Sequence, residues 1–406
     1  MKDTHRIITF SYVLIAGLLV ALVIPFSTRS SRASEQSVAS AAPYPASSIV
    51  KELTWDSTVT RIGDGTTGDN WPITWGDDDL LYAAYGDGDG FSNRSTKLSL
   101  GFSTISSNPP NISGQDFGSN VDTPEGQGPN GIKASGILMV DGTLYMFVRN
   151  YKPAGSNDYT NARLAWSRDH GRTWIWANWH FADTFGAPEF VQFGRNYAGA
   201  RDDYVYILSQ ANDSAYGWSP DVVMARAPKA RVADRAAYEF FAGLGANSTP
   251  QWSSDIVQRK PVFTDPNGVQ RIGMTYNAAL RRYFLTSAHQ TGGGATHTPA
   301  LGVFDAPEPW GPWSTVYYSD DFSGGYAYHH KFPTKWMSSD GRTMWLQYSG
   351  SNTGSSCNCI TLRKATLTIN GAPPAPTLPP AATATPSSIP PPPVAGAVGV
   401  CTGWVG

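Results

Sequence analysis

One pattern recurs five times along the chain: an apolar strand, a turn rich in Asp, Gly or Arg, then a second strand carrying aromatics. The pairs are 71–75 with 80–85 across Asp77, Asp78 and Asp79; 132–140 with 143–148 across Asp141 and Gly142; and 190–193 with 204–208 across a longer connection ending in Asp202 and Asp203. The last two are 271–276 with 282–287, and 332–336 with 343–348 across Asp340 and Gly341. Third strands follow at 162–167, 221–228, 300–307 and 361–369. Successive turns lie about 60 to 80 residues apart, enough for one four-stranded blade with its loops. The repeat therefore predicts an all-β chain folded as a five-bladed β-propeller of four-stranded antiparallel blades. Segment 48–62 falls outside the five units and is expected to supply an outer strand that removes an exposed sheet edge.

Composition agrees with many short strands and tight turns, since 41 Gly and 14 Trp accompany only 15% charged residues. Lys plus Arg number 30 against 32 Asp plus Glu, and no basic cluster interrupts the central region, which argues against nucleic acid as a partner. Only three cysteines occur, Cys357, Cys359 and Cys401, so the fold does not rest on a disulfide framework. Cys357 and Cys359 stand two apart; a strained mutual disulfide and two unrelated thiols both fit that spacing.

The two ends differ from the middle. Residues 1–33 begin with a positive stretch, continue through an apolar run from Ile7 to Phe26 and end in small residues. This is an export signal, either cleaved near Ala33 or Ala42 or retained as an anchor. The expected order is then a flexible leader at 34–47, the folded region at 48–370, a Pro/Thr/Ser-rich linker at 371–393 and a short stub at 394–406. An extracellular or cell-surface monomer is expected, touching membrane only through the N-terminal anchor.

In a propeller the innermost strand of each blade lines a central channel, so residues equidistant from its hairpin turn share one end. Counting outward from Asp78 gathers Asp69, Asp87 and Asp89 at one mouth. The same count places Lys133 with Arg149 and Asn150, Glu189 with Gln210 and Asp213, Arg271 with His289, and His329 and His330 with Ser349 and Asn352. Carboxylates beside cations suit glycoside hydrolysis, in which one acid protonates the leaving oxygen and a second carboxylate attacks or activates water. Asp69 and Glu189 are the first candidate pair, supported by Asp87. Asp89, Trp71, Lys133, Arg149, Asn150, Asp213, His289 and His330 are candidate substrate-binding residues.

Simpler readings stand beside these. The plain reading of Gly86-Asp-Gly-Asp-Gly90 is a turn alone, set against the catalytic role for Asp87, with a calcium loop as a lesser alternative and no cofactor required. Glu189 suits an ion pair, and His329 and His330 lack acidic partners at metal-ligand spacing. Most tryptophans should wedge blades together rather than stack on sugar.

Ser167-Arg-Asp-His-Gly-Arg-Thr-Trp174 resembles the Asp-box turn of sialidase-type propellers, with Asp169 bonding turn amides. Gly68-Asp-Asn-Trp-Pro-Ile-Thr-Trp75, Leu81-Tyr-Ala-Ala-Tyr-Gly-Asp-Gly88, Gly128-Pro-Asn-Gly-Ile-Lys-Ala-Ser-Gly136, Asn196-Tyr-Ala-Gly-Ala-Arg-Asp-Asp-Tyr-Val-Tyr206 and Phe332-Pro-Thr-Lys-Trp336 together resemble a bacterial secreted family long labelled a domain of unknown function. The resemblance covers nearly the whole central region and implies a five-bladed propeller. One branch of that broad grouping holds endo-D-arabinofuranases of mycobacterial arabinan, which implies a glycosidase-like site at the channel mouth and a polysaccharide partner. It fixes no catalytic residue here. A non-catalytic carbohydrate-binding propeller and a protein-binding scaffold are the alternative functions.

Overall fold

Strands fall where the sequence alternates apolar residues between turn signals. The computed structural model describes residues 41–62, 67–92, 96–151, 159–182, 184–292, 297–350 and 358–371. The expected signal, most of the linker, the C-terminal stub, Asn352, Cys357 and Cys401 lie outside the described residues. Cys359 is buried and disulfide-bonded, with its partner outside them.

The chain is nearly all-β. A long first strand, β1 (Val50–Ile62), precedes an antiparallel group of β2 (Ile73–Trp75), β3 (Leu81–Tyr85), β4 (Leu98–Ile105) and β5 (Gly114–Phe117), with β6 (Thr123–Pro124) on the flank of β4. Next come β7 (Lys133–Val140), β8 (Thr143–Arg149), β9 (Ala162–Ser167) and β10 (Ile175–Phe181), paired in that order. The third group is β11 (Glu189–Gln192), β12 (Tyr204–Gln210), β13 (Ser219–Pro228), β14 (Glu239–Leu244) and β15 (Pro250–Ser253). The fourth is β16 (Pro261–Asn277), β17 (Arg282–Ala288), β18 (Leu301–Ala306) and β19 (Ser314–Ser319). The last is β20 (Ala327–Lys331), β21 (Thr343–Gly350) and β22 (Ile360–Ile369), and its outer strand is β1, antiparallel to β22 from Val50↔Ile369 to Ile62↔Ile360. The third and fourth groups form one sheet, because β11 and β16 pair in parallel at Val191↔Met274 and Gln192↔Thr275 and β13 also pairs with β16. Among the described residues no helix is long and apolar enough to cross a membrane.

Turn chemistry explains the tight hairpins. Asp141 and Gly142 join β7 to β8 with φ of 47° and 75°, the doubly left-handed turn that matches strand twist. Ser167 to Trp174 connects β9 to β10: Asp169 Oδ1 accepts from Ser167 Oγ at 2.7 Å and Thr173 N at 2.9 Å, and Trp174 Nε1 donates to Gly171 O at 2.8 Å. With its carboxyl held at about 2 by the Thr173 hydroxyl and these amides, Asp169 acts in the turn.

The first strands of the five groups lie beside one another. β2 contacts β7, β7 contacts β11, β11 pairs with β16 and β16 contacts β20. Tyr328 on β20 then reaches back to Asp69, just before β2. Apolar clusters fill the space between successive groups. Tyr82, Phe102, Ile137, Met146 and Trp174 join the first to the second. Leu280, Phe284, Val303, Phe332, Leu346 and Tyr348 join the fourth to the last. Trp71, Ile73, Tyr85, Trp336, Ile360 and Leu362 join the last to the first. Aromatic burial of this extent carries much of the stability.

The first strand of the last group departs from expectation. The sequence predicts it at 332–336, whereas it runs Ala327–Lys331, and Thr334–Trp336 forms a short 3₁₀ turn. Pro333 has no amide to give a ladder, so the strand ends before it. Bulges also interrupt three of the first strands, between Ala134 and Gly136, Gln270 and Gly273, and Tyr328 and Lys331. Each bulge adds a residue and re-aims the side chains beside it.

Candidate functional site

The bulges sit where polar side chains converge. Arg271 and His329 lie inside two of them with φ of 49° and 57°, and Asn70, Trp71, Asp87 and Asn150 are also left-handed, at 70°, 49°, 51° and 63°. Non-glycine residues in this region are strained, and such strain concentrates where side chains must be placed for function.

Asp69 is at the centre. Its backbone bridges Gly86, and Gly86 is required because a Cβ there would come within 2.8 Å of Asp69 Oδ1. Oδ1 accepts from Asn70 Nδ2 and Oδ2 from the Tyr328 hydroxyl at 2.7 Å. Burial raises the Asp69 carboxyl above its ordinary value and the neighbouring Asp87 charge adds to this, outweighing Arg149 and Lys133. Asp87 Oδ1 receives the Lys133 ammonium at 2.6 Å and the Ser99 hydroxyl at 3.4 Å, and its side chain is 27% exposed. Lys133 faces Arg149 across the β7–β8 ladder, one residue from a strict count because of the bulge at Ala134–Gly136.

Two further cations complete this cluster. Arg149 is 1% exposed; Nη2 donates to Asn70 Oδ1 at 2.9 Å, while Nε and Nη1 have no hydrogen-bond partner among the described residues. Arg271 donates through Nε to Ala215 O and packs over the rings of Tyr216 and Tyr328, at 5.0 and 4.7 Å from their centroids. Burial, with Arg149 close by, lowers Arg271 to about 10. Burial alone would raise the Tyr216 phenol, but Arg149 and Arg271 outweigh it and bring it below its ordinary value. Among the described residues neither ring nitrogen of buried His329 has a hydrogen-bond partner, and burial together with Lys331, Arg149 and Arg271 keeps it neutral. His297 packs at a tilt against Tyr328, ring centroids 4.8 Å apart, and is lowered to about 3 by burial and the same two arginines.

Several sequence-predicted residues are elsewhere. Glu189 is not brought to Asp69: it is buried against Lys331 Nζ, and its Oε1 accepts from Phe190 N at 3.1 Å. Burial pushes its carboxyl up against the pull of Lys331. The pair lines a small cavity with Ile73, Gln192, Met274 and Phe332. Trp71 offers no stacking face, because it is wholly buried between Tyr85 and Phe91 with Nε1 donating to Gly68 O. His289 stacks on Tyr318 at 3.9 Å and bonds Asp320 instead of joining Arg271, since the bulge at Gln270–Gly273 separates them. His330 packs on Tyr348 and Phe322, lowered to about 3 by burial, because the bulge at Tyr328–Lys331 turns it away from the cluster. Asp213 stays in the turn after β12, where its carbonyl takes the Asn161 amide. Asp89 remains in the Asp87 loop, partly buried. Asn150 is buried, directly after Arg149.

Sequence reasoning left out Asn70, Tyr216 and His297, and treated His329 as a weak metal ligand. Tyr328 went unnoticed too, although it stands beside two histidines. Apart from His329, which the count from the turn did bring to the mouth, no spacing marks these residues, because loops and bulges deliver them.

No curated protein sequence matches the chain. Solved structures with a weak likeness include the GH43_1 enzyme from Xanthomonas citri, 13% identical at a TM-score of 0.44 over 78% of this chain and 94% of that one. An exo-β-1,3-galactanase from Phanerochaete chrysosporium is 12% identical at 0.43, over 79% and 64%. An N-acetylgalactosamine deacetylase from F. plautii is 14% identical at 0.43, over 79% and 96%. A family profile is more direct, spanning residues 129–352 and so taking in Lys133, Arg149, Arg271, His329 and the Glu189–Lys331 pair. On that match the chain belongs to the family described as Domain of unknown function (DUF4185).

Proposed function

We propose that the five strand groups are the blades of a five-bladed propeller, with β1 completing the last blade, and that the cluster around Asp69 is the mouth of its channel. The mouth binds a polysaccharide and hydrolyses a glycosidic bond. The observation that carries this reading is the contrast between two neighbouring carboxyls: Asp69 is buried and raised, and Asp87 holds the Lys133 ammonium at 2.6 Å. Glycoside hydrolysis needs that division, one acid that keeps its proton and one that is ionised.

In this mechanism Asp69 donates its proton to the leaving oxygen. Asp87, more exposed and charge-paired, attacks the anomeric carbon or activates water. Tyr328 and Asn70 hold the Asp69 carboxyl in place. Arg149, Arg271 and Tyr216 bind the sugar beside the scissile bond. Glu189 with Lys331 is structural in this reading, so Asp87 replaces it as partner to Asp69. The chain acts after export, at the cell surface or beyond, and an arabinan-like substrate is compatible with the resemblance described above.

The test is to incubate the protein with arabinans, arabinogalactans and xylans and measure new reducing ends. Cleavage is expected on at least one, lost in Asp69→Asn and Asp87→Asn. Cleavage that survives both substitutions removes the site; binding without cleavage on every glycan favours a carbohydrate-binding propeller.

A further inference from the structure

The charges around Asp69 do not balance. Lys133 is met by Asp87 and Lys331 by Glu189. That leaves the guanidinium groups of Arg149 and Arg271 against the single carboxyl of Asp69. The two cations are close enough to oppose each other and share the ring of Tyr216, at 5.3 and 5.0 Å. Among the described residues Arg149 keeps two buried nitrogens without an acceptor, and Arg271 spends only Nε, on a carbonyl.

Unmet buried donors on a cation are costly unless a ligand supplies acceptors. A neutral sugar hydroxyl supplies an acceptor but no charge. A carboxylate supplies both, and arginine donors match its oxygens well. The surroundings also favour one added negative charge, because His329 and His297, both within electrostatic reach of the two arginines, are held neutral and add no positive charge of their own.

We propose that Arg149 and Arg271 form a carboxylate subsite, so that the glycan taken at this mouth carries an acidic sugar. The inference rests on the reading of the mouth as a glycan site, but not on cleavage. Arg149 gives the carboxylate one of its two free donors, Nε or Nη1, and Arg271 supplies the second cation beside the shared Tyr216 ring. Lys133 takes no part, since Asp87 already holds it.

The test measures binding by calorimetry to uronic-acid-bearing oligosaccharides of two backbones, a xylan and a polygalacturonate. Each is compared with the same oligosaccharide after its carboxylates are reduced to hydroxymethyl groups, and with a sulfated counterpart. The acid form of at least one backbone is expected to bind about tenfold or more tightly than the reduced form. Arg149→Gln and Arg271→Gln are each expected to erase that preference, weakening the acid form about tenfold or more beyond whatever they cost the reduced form. The wild-type comparison needs no variant, so a substitution that fails to fold does not block it. Equal binding of acid and reduced forms, no binding of either acid form, or a stronger preference for sulfate would overturn the proposal. Because Asp87→Asn binds without turning over in this scheme, the acid preference is measured there too. An acid preference without cleavage of any glycan supports the subsite and removes the hydrolase. Cleavage with no acid preference does the reverse.

Discussion

Asp69 just before β2 and Glu189 at the start of β11 both stand at the entry of a first strand, and both are buried acids whose carboxyls are raised. Their surroundings separate them. Glu189 has one cation, Lys331, in direct contact and apolar neighbours such as Ile73, Met274 and Phe332. Among the described residues Asp69 has no cation in direct hydrogen-bond contact; its donors are Asn70 and Tyr328, and its charged neighbours are Asp87, Arg149 and Lys133. A satisfied ion pair in an apolar setting holds strands in place, whereas a carboxyl left without a counter-ion among strained residues is poised to exchange a proton. Burial alone therefore does not identify a catalytic acid; what the burial leaves unpaired does.

The sharpest break of this contrast is in activity. Asp69→Asn and Asp87→Asn should each lower kcat by about 10²–10⁴-fold on a cleaved glycan, measured as reducing ends, with the fold kept by circular dichroism. If Glu189→Leu combined with Lys331→Met keeps kcat within a few fold, the two acids are separated as described. Stability gives the next effect. Lys331→Met strands a buried carboxylate and should cost about 3–5 kcal/mol in denaturant unfolding, and adding Glu189→Leu should recover most of it. A Lys331→Met protein as stable as the parent would make the pair dispensable and reopen a chemical role for Glu189.

Smaller effects refine the Asp69 side. Gly86→Ala pushes a methyl to 2.8 Å from Asp69 Oδ1, so kcat should fall while the melting temperature changes by only a few degrees. The raised Asp69 carboxyl has a definite sign: its contribution to stability is present at low pH and disappears as pH rises through its folded value, above the ordinary carboxylate range. Asp69→Asn should therefore melt higher than the parent at neutral pH and converge with it in acid. The alkaline limb of the parent's activity should fall at that same raised value. The smallest change expected is for Asp169→Ala, about 0.5–1.5 kcal/mol from lost turn hydrogen bonds with kcat unmoved.

Much of the scaffold was readable in advance for a simple reason. Third strands at 162–167, 221–228, 300–307 and 361–369 coincide closely with β9, β13, β18 and β22, because period-two alternation and turn residues are local properties. Lys133 was counted to Arg149 and Asn150, and the bulge between Ala134 and Gly136 shifts the register by one so that it faces Arg149. Counting failed at His289 and His330, where a bulge inserts one residue and swaps faces. It failed at Trp71 for another reason: Asn70 and Trp71 turn left-handed, so the indole folds inward under Gly68.

Composition and periodicity alone determined that this chain is built from antiparallel strands joined by Asp- and Gly-rich turns, and that acids and cations collect at the ends of the first strands. Which of those charges meet was decided by the tertiary structure. Ion pairing depends on a few ångströms across strands distant in sequence, and left-handed residues and bulges set that distance. Lys331 therefore met Glu189, and Arg149 and Arg271 were left facing Asp69 with donors to spare.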